Sequence, residues 1–395
     1  MLNEQQEYIL NQAVNWWKFG SNQIFQYTGE AGTGKTFLLF EIIKAIGLSF
    51  DSIAFMAYTG QAAIVMRNAG MDTAKTIHST LYEPIQSYAL DENNEYILDP
   101  YFHKPIIEIK FIPRDLEGVK LFVIDEASMV PEYLAKEINS RNIRIIAIGD
   151  LDQLPPVGGN PGYLNDGNIY RLTDIMRQNE KSPILYLAHR ALNGETIEIG
   201  TYGNCKVIYE DELTDEEIIS ADIILCGKNS TREMVNNNFR RNILKTNSTT
   251  PLVGEKMICR KNNWFIASDG INLVNGLSGI VTKSPGVEGF DGKTYTIDFQ
   301  PLMCGGLFQD LKCDYKYLIS DLHKRDFLKK SKFSVGEKME YAYAITTHLS
   351  QGSQYNNGIY IEEYLNAMIN KNLWYTGVSR FKQSITYVKR RRKFY

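Results

Sequence analysis

The stretch Gly29-Glu30-Ala31-Gly32-Thr33-Gly34-Lys35-Thr36 constrains this chain more than any other. Two glycines bracket four residues and Lys-Thr follows, the pattern of a backbone loop that wraps phosphate. Gly29, Gly32 and Gly34 free the chain to turn successive N–H groups toward phosphate oxygens. Lys35 supplies a point charge for β- and γ-phosphates, and the Thr36 hydroxyl is a ligand for the Mg2+ that bridges them. The flanks agree, because Gln23 to Thr28 reads as a short strand and Phe37 to Lys44 as a helix with an apolar face. That order sets the phosphates at a helix N-terminus, where the dipole favours anions. The whole loop, Glu30, Ala31 and Thr33 included, is the candidate nucleotide site, with ATP and Mg2+ as the expected cofactors.

The chain has 395 residues, enough for two to four domains. Hydrophobic content of 44% and charged content of 23% are ordinary for a soluble globular protein. No apolar run of the roughly 18 residues a bilayer requires is present, so no membrane partner is expected. Met1 to Glu7 has neither a basic region nor an apolar core, which argues against a secretory signal. Five dispersed cysteines, with no Cys-x-x-Cys pair, point to reduced thiols in a cytoplasmic setting rather than a zinc site. A net charge of −3 neither advertises nor excludes nucleic acid, since binding follows local charge. The basic run Lys389 to Lys393 reads equally as a backbone contact or as a solvated tail.

Residues 4 to 17 carry apolar positions at helical spacing. Ser52 to Ala57 reads as a buried strand that opens onto Tyr58 to Ala63 and a further helix. Val119 to Ile124 is a strand ending in Asp125-Glu126, and Asn142 to Ile148 is a strand ending in Gly149-Asp150. Strands alternating with helices imply a parallel sheet with ligand at the carboxyl ends. A second α/β pattern starts near residue 178, with strand Asp222 to Cys226 and helix Thr231 to Arg240, and resumes from Tyr341. Prolines 84, 100, 105 and 113 punctuate an inserted hairpin or loop. Residues 252 to 340 read as a small β-rich insertion, barrel-like in character. The expected organisation is a first α/β domain over 1–79 and 117–177 with the hairpin region 80–116 inserted in it. A second spans 178–251 and 341–395, with the β-rich insertion at 252–340.

Asp125 at a strand end can hold Mg2+, and Glu126 can take a proton from an attacking water. Gln153 lies on the proline-stiffened turn after the next strand, where a Gln can sense the γ-phosphate or position water.

These segments resemble motifs I, II and III of superfamily 1 helicases: the phosphate loop, Val123 to Met129, and Gly149 to Val157. The chain is similar to superfamily 1B DNA helicases of the RecD/Dda type, and its size resembles the bacteriophage Dda helicases. Further motifs follow in order. Leu2 to Gln6 resembles the adenine-reading motif, which gives that role to Gln6. Ala57 to Ala63 resembles motif Ia and Thr76 to Ser79 motif Ib. Leu172 to Gln178 resembles motif IV with its phosphate-contacting Arg177, Tyr343 to Gln354 motif V, and Leu373 to Arg380 motif VI with Arg380 as arginine finger. Val274-Asn275-Gly276 is similar to the second-domain insertion of the family. Three positions depart from the pattern. Gln61 and Leu349 stand where lysines are usual, and Gln354 where a glutamate is.

The resemblance implies two RecA-like domains with parallel sheets, a hairpin pin and an SH3-like insertion. It implies an ATP hydrolase that moves 5′ to 3′ on single-stranded DNA and parts duplex with the pin. The two arginines have a physical rationale as well, because a guanidinium stabilises charge spread over a transferred phosphoryl group. Thr59, His78, Thr346, His348 and Ser350 suit phosphate contacts, and Asn275 joins them as a strand contact. Trp264 and Trp374 are candidates for stacking bases, and Tyr96, Tyr101 and Phe102 for the wedge. Expected partners are single-stranded DNA and single/double-strand junctions, with a monomer working beside single-strand-binding, replisome or recombination proteins. The expected setting is the cytoplasm of a phage-infected bacterium. Two rivals share these motifs: a DNA-stimulated translocase that strips proteins without separating strands, and a nucleotide-gated subunit of a recombination complex.

Overall fold

A computed structural model describes residues 2–98, 105–156, 158–165, 167–174, 182–286, 292–318, 336–365 and 367–391. Helix Glu4–Phe19 opens on a reciprocal cap, in which Asn3 Oδ1 accepts from Gln6 N and Gln6 Oε1 accepts from Asn3 N. Its Ile9, Ala13 and Trp16 enter the first core.

The first sheet has six parallel strands in the order Lys75–Thr76, Ile53–Ala57, Leu121–Asp125, Arg144–Gly149, Ile24–Gly29, Ile169–Leu172. Its central strands are apolar on both faces, as a sheet covered on both sides demands. Leu38, Ile42, Phe55, Val123 and Ile146 fill one face, and Ile124, Leu134, Ile138 and Ile145 the other. Parallel pairing in register (Thr28 beside Gly149, Ala57 beside Asp125) brings the carboxyl ends to one edge.

The second sheet runs Ala344–Thr346, Ile223–Cys226, Tyr355–Ile361, Phe381–Lys389, Cys205–Tyr209 in parallel, with Gly200–Tyr202 antiparallel at the edge. Helices Pro183–Asn193 and Ala367–Val378 pack together over it, around Leu187, Leu225, Tyr360 and Tyr375. The helix expected over Thr231 to Arg240 begins earlier, at Asn229–Asn238, and gives way to a π turn at Phe239–Ile243. Within that turn Arg240 Nε donates to Glu255 Oε1 at 2.8 Å.

The β-rich insertion is an antiparallel sheet ordered Phe308–Asp314, Thr294–Pro301, Ser278–Lys283, Lys256–Cys259, Met339–Tyr341. Glu337, just before the last strand, exchanges backbone hydrogen bonds with Lys312 and Asp314 of the first, so the sheet curls toward closure as a small barrel does. This insertion sits directly on the first α/β unit. Ile64 of helix Gly60–Asn68 belongs to its core, and the loop Met303-Cys304 reaches the same helix, where Gln61 Nε2 donates to Met303 Sδ and Asn68 Nδ2 to Met303 O. The approach is close enough that a Cβ on Gly60 would lie 2.0 Å from Val274 Cγ2.

The insertion in the first unit is a hairpin, Tyr82–Tyr88 paired with Ile107–Pro113, whose second strand is exposed throughout. At its base Phe111 meets Trp264 of the β-rich insertion edge to face, with ring centroids 6.4 Å apart. Among the described residues no helix is long and apolar enough to cross a membrane.

Candidate active site

The loop before helix Lys35–Ile46 takes its shape from glycine. Gly32 and Gly34 hold φ of +86° and +80°, a region glycine enters without steric cost. A Cβ on Gly29 would stand 2.5 Å from Thr33 Oγ1. No side chain caps the helix, so its first N–H groups are left to the loop's concavity. Lys35 Nζ folds back to donate to Gly29 O at 2.6 Å and Glu30 O at 3.0 Å. Those carbonyls take the place of the anionic oxygens such an ammonium binds. The exposed side chain of Thr36 stands on the first turn of the helix.

On the neighbouring strand Asp125 Oδ1 accepts from Glu126 N at 2.9 Å. Burial first, and then the charge of Glu126, push the Asp125 carboxyl up to about 6, while Lys35 and Arg380 pull the other way. Glu126 sits at φ +51°, ψ +40°, a left-handed conformation uncommon for a residue with a long side chain, which turns it out of the strand line. Across from it, Arg380 of the second unit places Nη1 3.5 Å from Glu126 Oε1 and is only 5% exposed. Gln153 is buried nearby. Its Nε2 donates to Asp150 Oδ2 at 3.2 Å, and its Oε1 is a buried acceptor without a partner among the described residues.

These features fit a magnesium nucleotide. A glycine-shaped cradle, uncapped helix donors and an ammonium resting on loop carbonyls are what a bound triphosphate would use, and the orphaned acceptor suits a water beside it. Thr36 and Asp125 are the residues that would hold the metal.

Sequence reasoning missed the ties that join the second unit to this site. The Tyr375 hydroxyl accepts from Ala31 N at 3.0 Å and donates to Asp150 Oδ2 at 2.6 Å. His189 Nε2 lies 3.0 Å from Glu30 Oε2, an electrostatic contact. Leu154 is clamped from both sides, its N donating to Thr376 Oγ1 and its O accepting from Gln351 Nε2, each at 2.9 Å. The only signal for these was position: Tyr375 and Thr376 lie inside the stretch that ends in Arg380, and Gln351 inside the stretch around His348.

Of the expected strand contacts, Thr59, Asn275 and His348 line one cavity of about 220 Å3, together with Tyr58, Gln61 and Gln351. His78 lines a neighbouring cavity of about 260 Å3 with Trp264, Phe111 and Arg114. Two expectations are corrected. Ser350 is fully buried with Oγ donating to Thr347 O, and Thr346 is buried with Oγ1 accepting from Leu349 N. Both hydroxyls build the turn beneath the cavity instead of facing it. Gln6 is likewise turned inward, since Nε2 donates to Thr33 O at 3.1 Å and Oε1 serves the helix cap. In this structure it braces the phosphate loop rather than presenting its amide to a purine. Trp374 donates from Nε1 to Glu363 O and lines a different cavity, beside Tyr364 and Arg390. The basic run is no free tail where it is described. Lys389 donates to Ile197 O, and Arg390 and Arg391 pair with Glu363 and Asp211. Tyr96 is 57% exposed on the hairpin extension. Arg177, Tyr101 and Phe102 lie outside the described residues.

Residues 1–211 match the family model described as AAA domain. An uncharacterised protein of Methanocaldococcus jannaschii is 27% identical over an alignment that covers 92% of this chain and 36% of that protein. The ATP-dependent RecD2 DNA helicase of Deinococcus radiodurans is 28% identical, covering 49% of this chain and 24% of its own. The chain thus spans about a third and about a quarter of the length of these two curated relatives. A crystal structure of Pif1 helicase from Bacteroides in complex with ADP-AlF3 and ssDNA superposes with a TM-score of 0.56 at 19% identity, covering 98% of this chain and 92% of that one. Two RecA-like α/β units with insertions are therefore the fold.

Proposed function

Since the chain belongs to the AAA domain family, we propose that it is an ATP-dependent DNA helicase of superfamily 1B, of the RecD/Dda type, that moves 5′ to 3′ along single-stranded DNA and parts duplex with its hairpin. One observation carries this reading. Arg380 reaches Glu126 across the cleft while Thr59 and Asn275 on one side and His348 on the other share a single cavity. A cleft that can close on a nucleotide and a track that spans the same two units are the two parts of a motor.

The residues divide the work as follows. Lys35 exchanges its loop carbonyls for phosphate oxygens. Thr36 and Asp125 would hold Mg2+, which would neutralise phosphate charge there. Glu126 accepts the proton of the attacking water, and Gln153 orients that water through Oε1. Arg380 leaves Glu126 to stabilise charge on the transferred phosphoryl group, which separates the acid–base partner from its counter-ion only when nucleotide is bound. Gln351 lines the strand cavity and also grips Leu154 beside Gln153, so it connects the nucleotide site with the track.

The test is ATP hydrolysis with and without a single-stranded oligonucleotide, for wild type and Lys35→Ala, followed by displacement from duplexes tailed at the 5′ or the 3′ end. Strong stimulation, lost in the variant, and displacement from 5′ tails are the expected results. Hydrolysis indifferent to DNA would overturn the helicase assignment, and displacement only from 3′ tails would overturn the polarity.

A further inference from the structure

A single strand is a polyanion, and the two cavities that hold the expected strand contacts bring little charge to meet it. No Lys or Arg lines the cavity of Thr59, Asn275 and His348 among the described residues. The cavity of His78 has Arg114, which is already engaged: its Nε donates to Tyr82 O at 2.9 Å and its Nη1 lies 3.7 Å from Glu83 Oε2. Neither histidine carries charge near neutral pH, because burial lowers both imidazoles below the ordinary value.

Unengaged charge stands close by. A groove of about 70 Å3 runs between helix Gly60–Asn68, Lys75-Thr76 and the segment Gly270 to Asn272 of the β-rich insertion. Ser79 and Asn272 line both this groove and the His78 cavity, so the two lie side by side. Arg67 and Lys75 line the groove, and no Asp or Glu does among the described residues. Arg67 spends Nε on Ala74 O at 2.7 Å, which leaves both Nη groups without a hydrogen-bond or ion-pair partner among the described residues. Lys75 is exposed, and its Nζ has no such partner either. Other sheltered arginines of the chain have a carboxylate, as Arg232 has Glu340, Arg240 has Glu255 and Arg380 has Glu126. Two cations in one groove repel each other until an anion joins them.

We propose that Arg67 and Lys75 form a backbone site for the single strand, which holds a phosphodiester group in this groove at the seam of the first unit and the β-rich insertion. The site rests on the strand track proposed above, and adds that the track draws its charge from beside the two cavities. A guanidinium fork fits the two free oxygens of a phosphodiester, and an ammonium adds a point charge. Both residues lie outside the stretches around Thr59 and His78, and they supply cations to a track in which Gln61 and Leu349 stand where lysines are usual. Such a contact positions the strand without reading its sequence.

The experiment is fluorescence anisotropy with short labelled oligo(dT) and oligo(dC) across a salt series without nucleotide. The variants are Lys75→Ala, which breaks no contact of the fold, Arg67→Gln, which keeps a donor for Ala74 O, and the two combined. Lys44→Ala is the control, an exposed lysine in the last turn of the helix that begins at the phosphate loop. The double variant should lower the log–log salt slope by about 0.7 or more, one phosphate contact on a single strand. It should weaken both oligonucleotides alike, by about tenfold near 0.1 M salt, the scale of a charged hydrogen bond. Each single variant should move the slope in the same direction, and Lys44→Ala should leave it unchanged. A double variant with the wild-type slope, a loss of affinity at constant slope, or a loss confined to one oligonucleotide would overturn the backbone site while leaving the strand track intact. Failure of wild type to bind either oligonucleotide would remove the track, and the site with it.

Discussion

Replacing Asp125 by Asn should make the nucleotide-free protein more stable while it abolishes hydrolysis. The carboxyl is pushed from its ordinary 3.8 up to about 6, mainly by burial and then by Glu126. A proton is therefore held more tightly in the folded state than in the unfolded one. The group is neutral in both states at low pH and costs nothing there. Stability is lost as pH rises through the interval between the two values and stays lost above it. The ionised carboxylate opposes folding by on the order of 3 kcal/mol near pH 7.5, roughly half of that near pH 5 and well under 1 kcal/mol near pH 4. Asn removes the charge and keeps an acceptor for Glu126 N. If the first α/β unit melts cooperatively, the gain near pH 7.5 corresponds to a rise of roughly 6–12 °C in Tm. Thermal melts of both proteins without Mg2+, at about pH 4.5 and pH 7.5, read this directly. Added magnesium nucleotide should raise the wild type toward the variant, because a cation relieves the same charge. Equal Tm values near neutral pH, or an identical advantage at both pH values, would show that buried charge is not what Asp125 contributes.

Arg380→Ala should retain nucleotide binding and lower kcat by about a thousandfold or more, measured by single-turnover hydrolysis; an unchanged kcat would exclude Arg380 from the phosphoryl group. Tyr375→Phe removes the hydroxyl that joins Ala31 N to Asp150 Oδ2, and should lower stability by about 1–3 kcal/mol and raise KM for ATP. An unaltered KM would mean that the tie does not shape the loop. Gly60→Ala should loosen the seam with the β-rich insertion, and Val274→Ala should restore much of the loss, with a coupling of about 0.5–3 kcal/mol in a double-mutant cycle. Strict additivity of the two would place the strain elsewhere.

The nucleotide half of the site was legible in the sequence because its chemistry forces contiguity. Backbone donors, ammonium and hydroxyl must follow one another around a single turn, so residues 29 to 36 carry the pattern intact. Asp125 and Glu126 were legible for a related reason, an apolar strand with an abrupt acidic end. Tyr375 was not, since a tyrosine on an amphipathic helix reads as core, and most of its ring is indeed core. Only its hydroxyl reaches Ala31, across a separation that no local pattern encodes. Gln6 and Ser350 failed in the opposite direction. Both are polar types that suit a ligand, and both are consumed by the backbone, one bracing the phosphate loop and the other closing a turn. The hairpin was visible through its prolines, and its length through nothing. The contact of Gln61 with Met303 depends on an insertion far along the chain packing on the first unit, and the sequence shows there only that a lysine is missing.

The seam between the first unit and the β-rich insertion also carries its own chemical reporter. All five cysteines are free thiols, and four are buried, with Cys226 and Cys259 pushed up to about 12 by that burial. Cys304, next to Met303 at the seam, is partly exposed, and Arg67 offsets part of the rise in its own pKa. Alkylating reagents should therefore modify the unaltered protein there first, since reactivity follows thiolate fraction and access. A dye attached at Cys304 would stand over helix Gly60–Asn68, and its colour or lifetime would report whether the insertion stays seated on that helix.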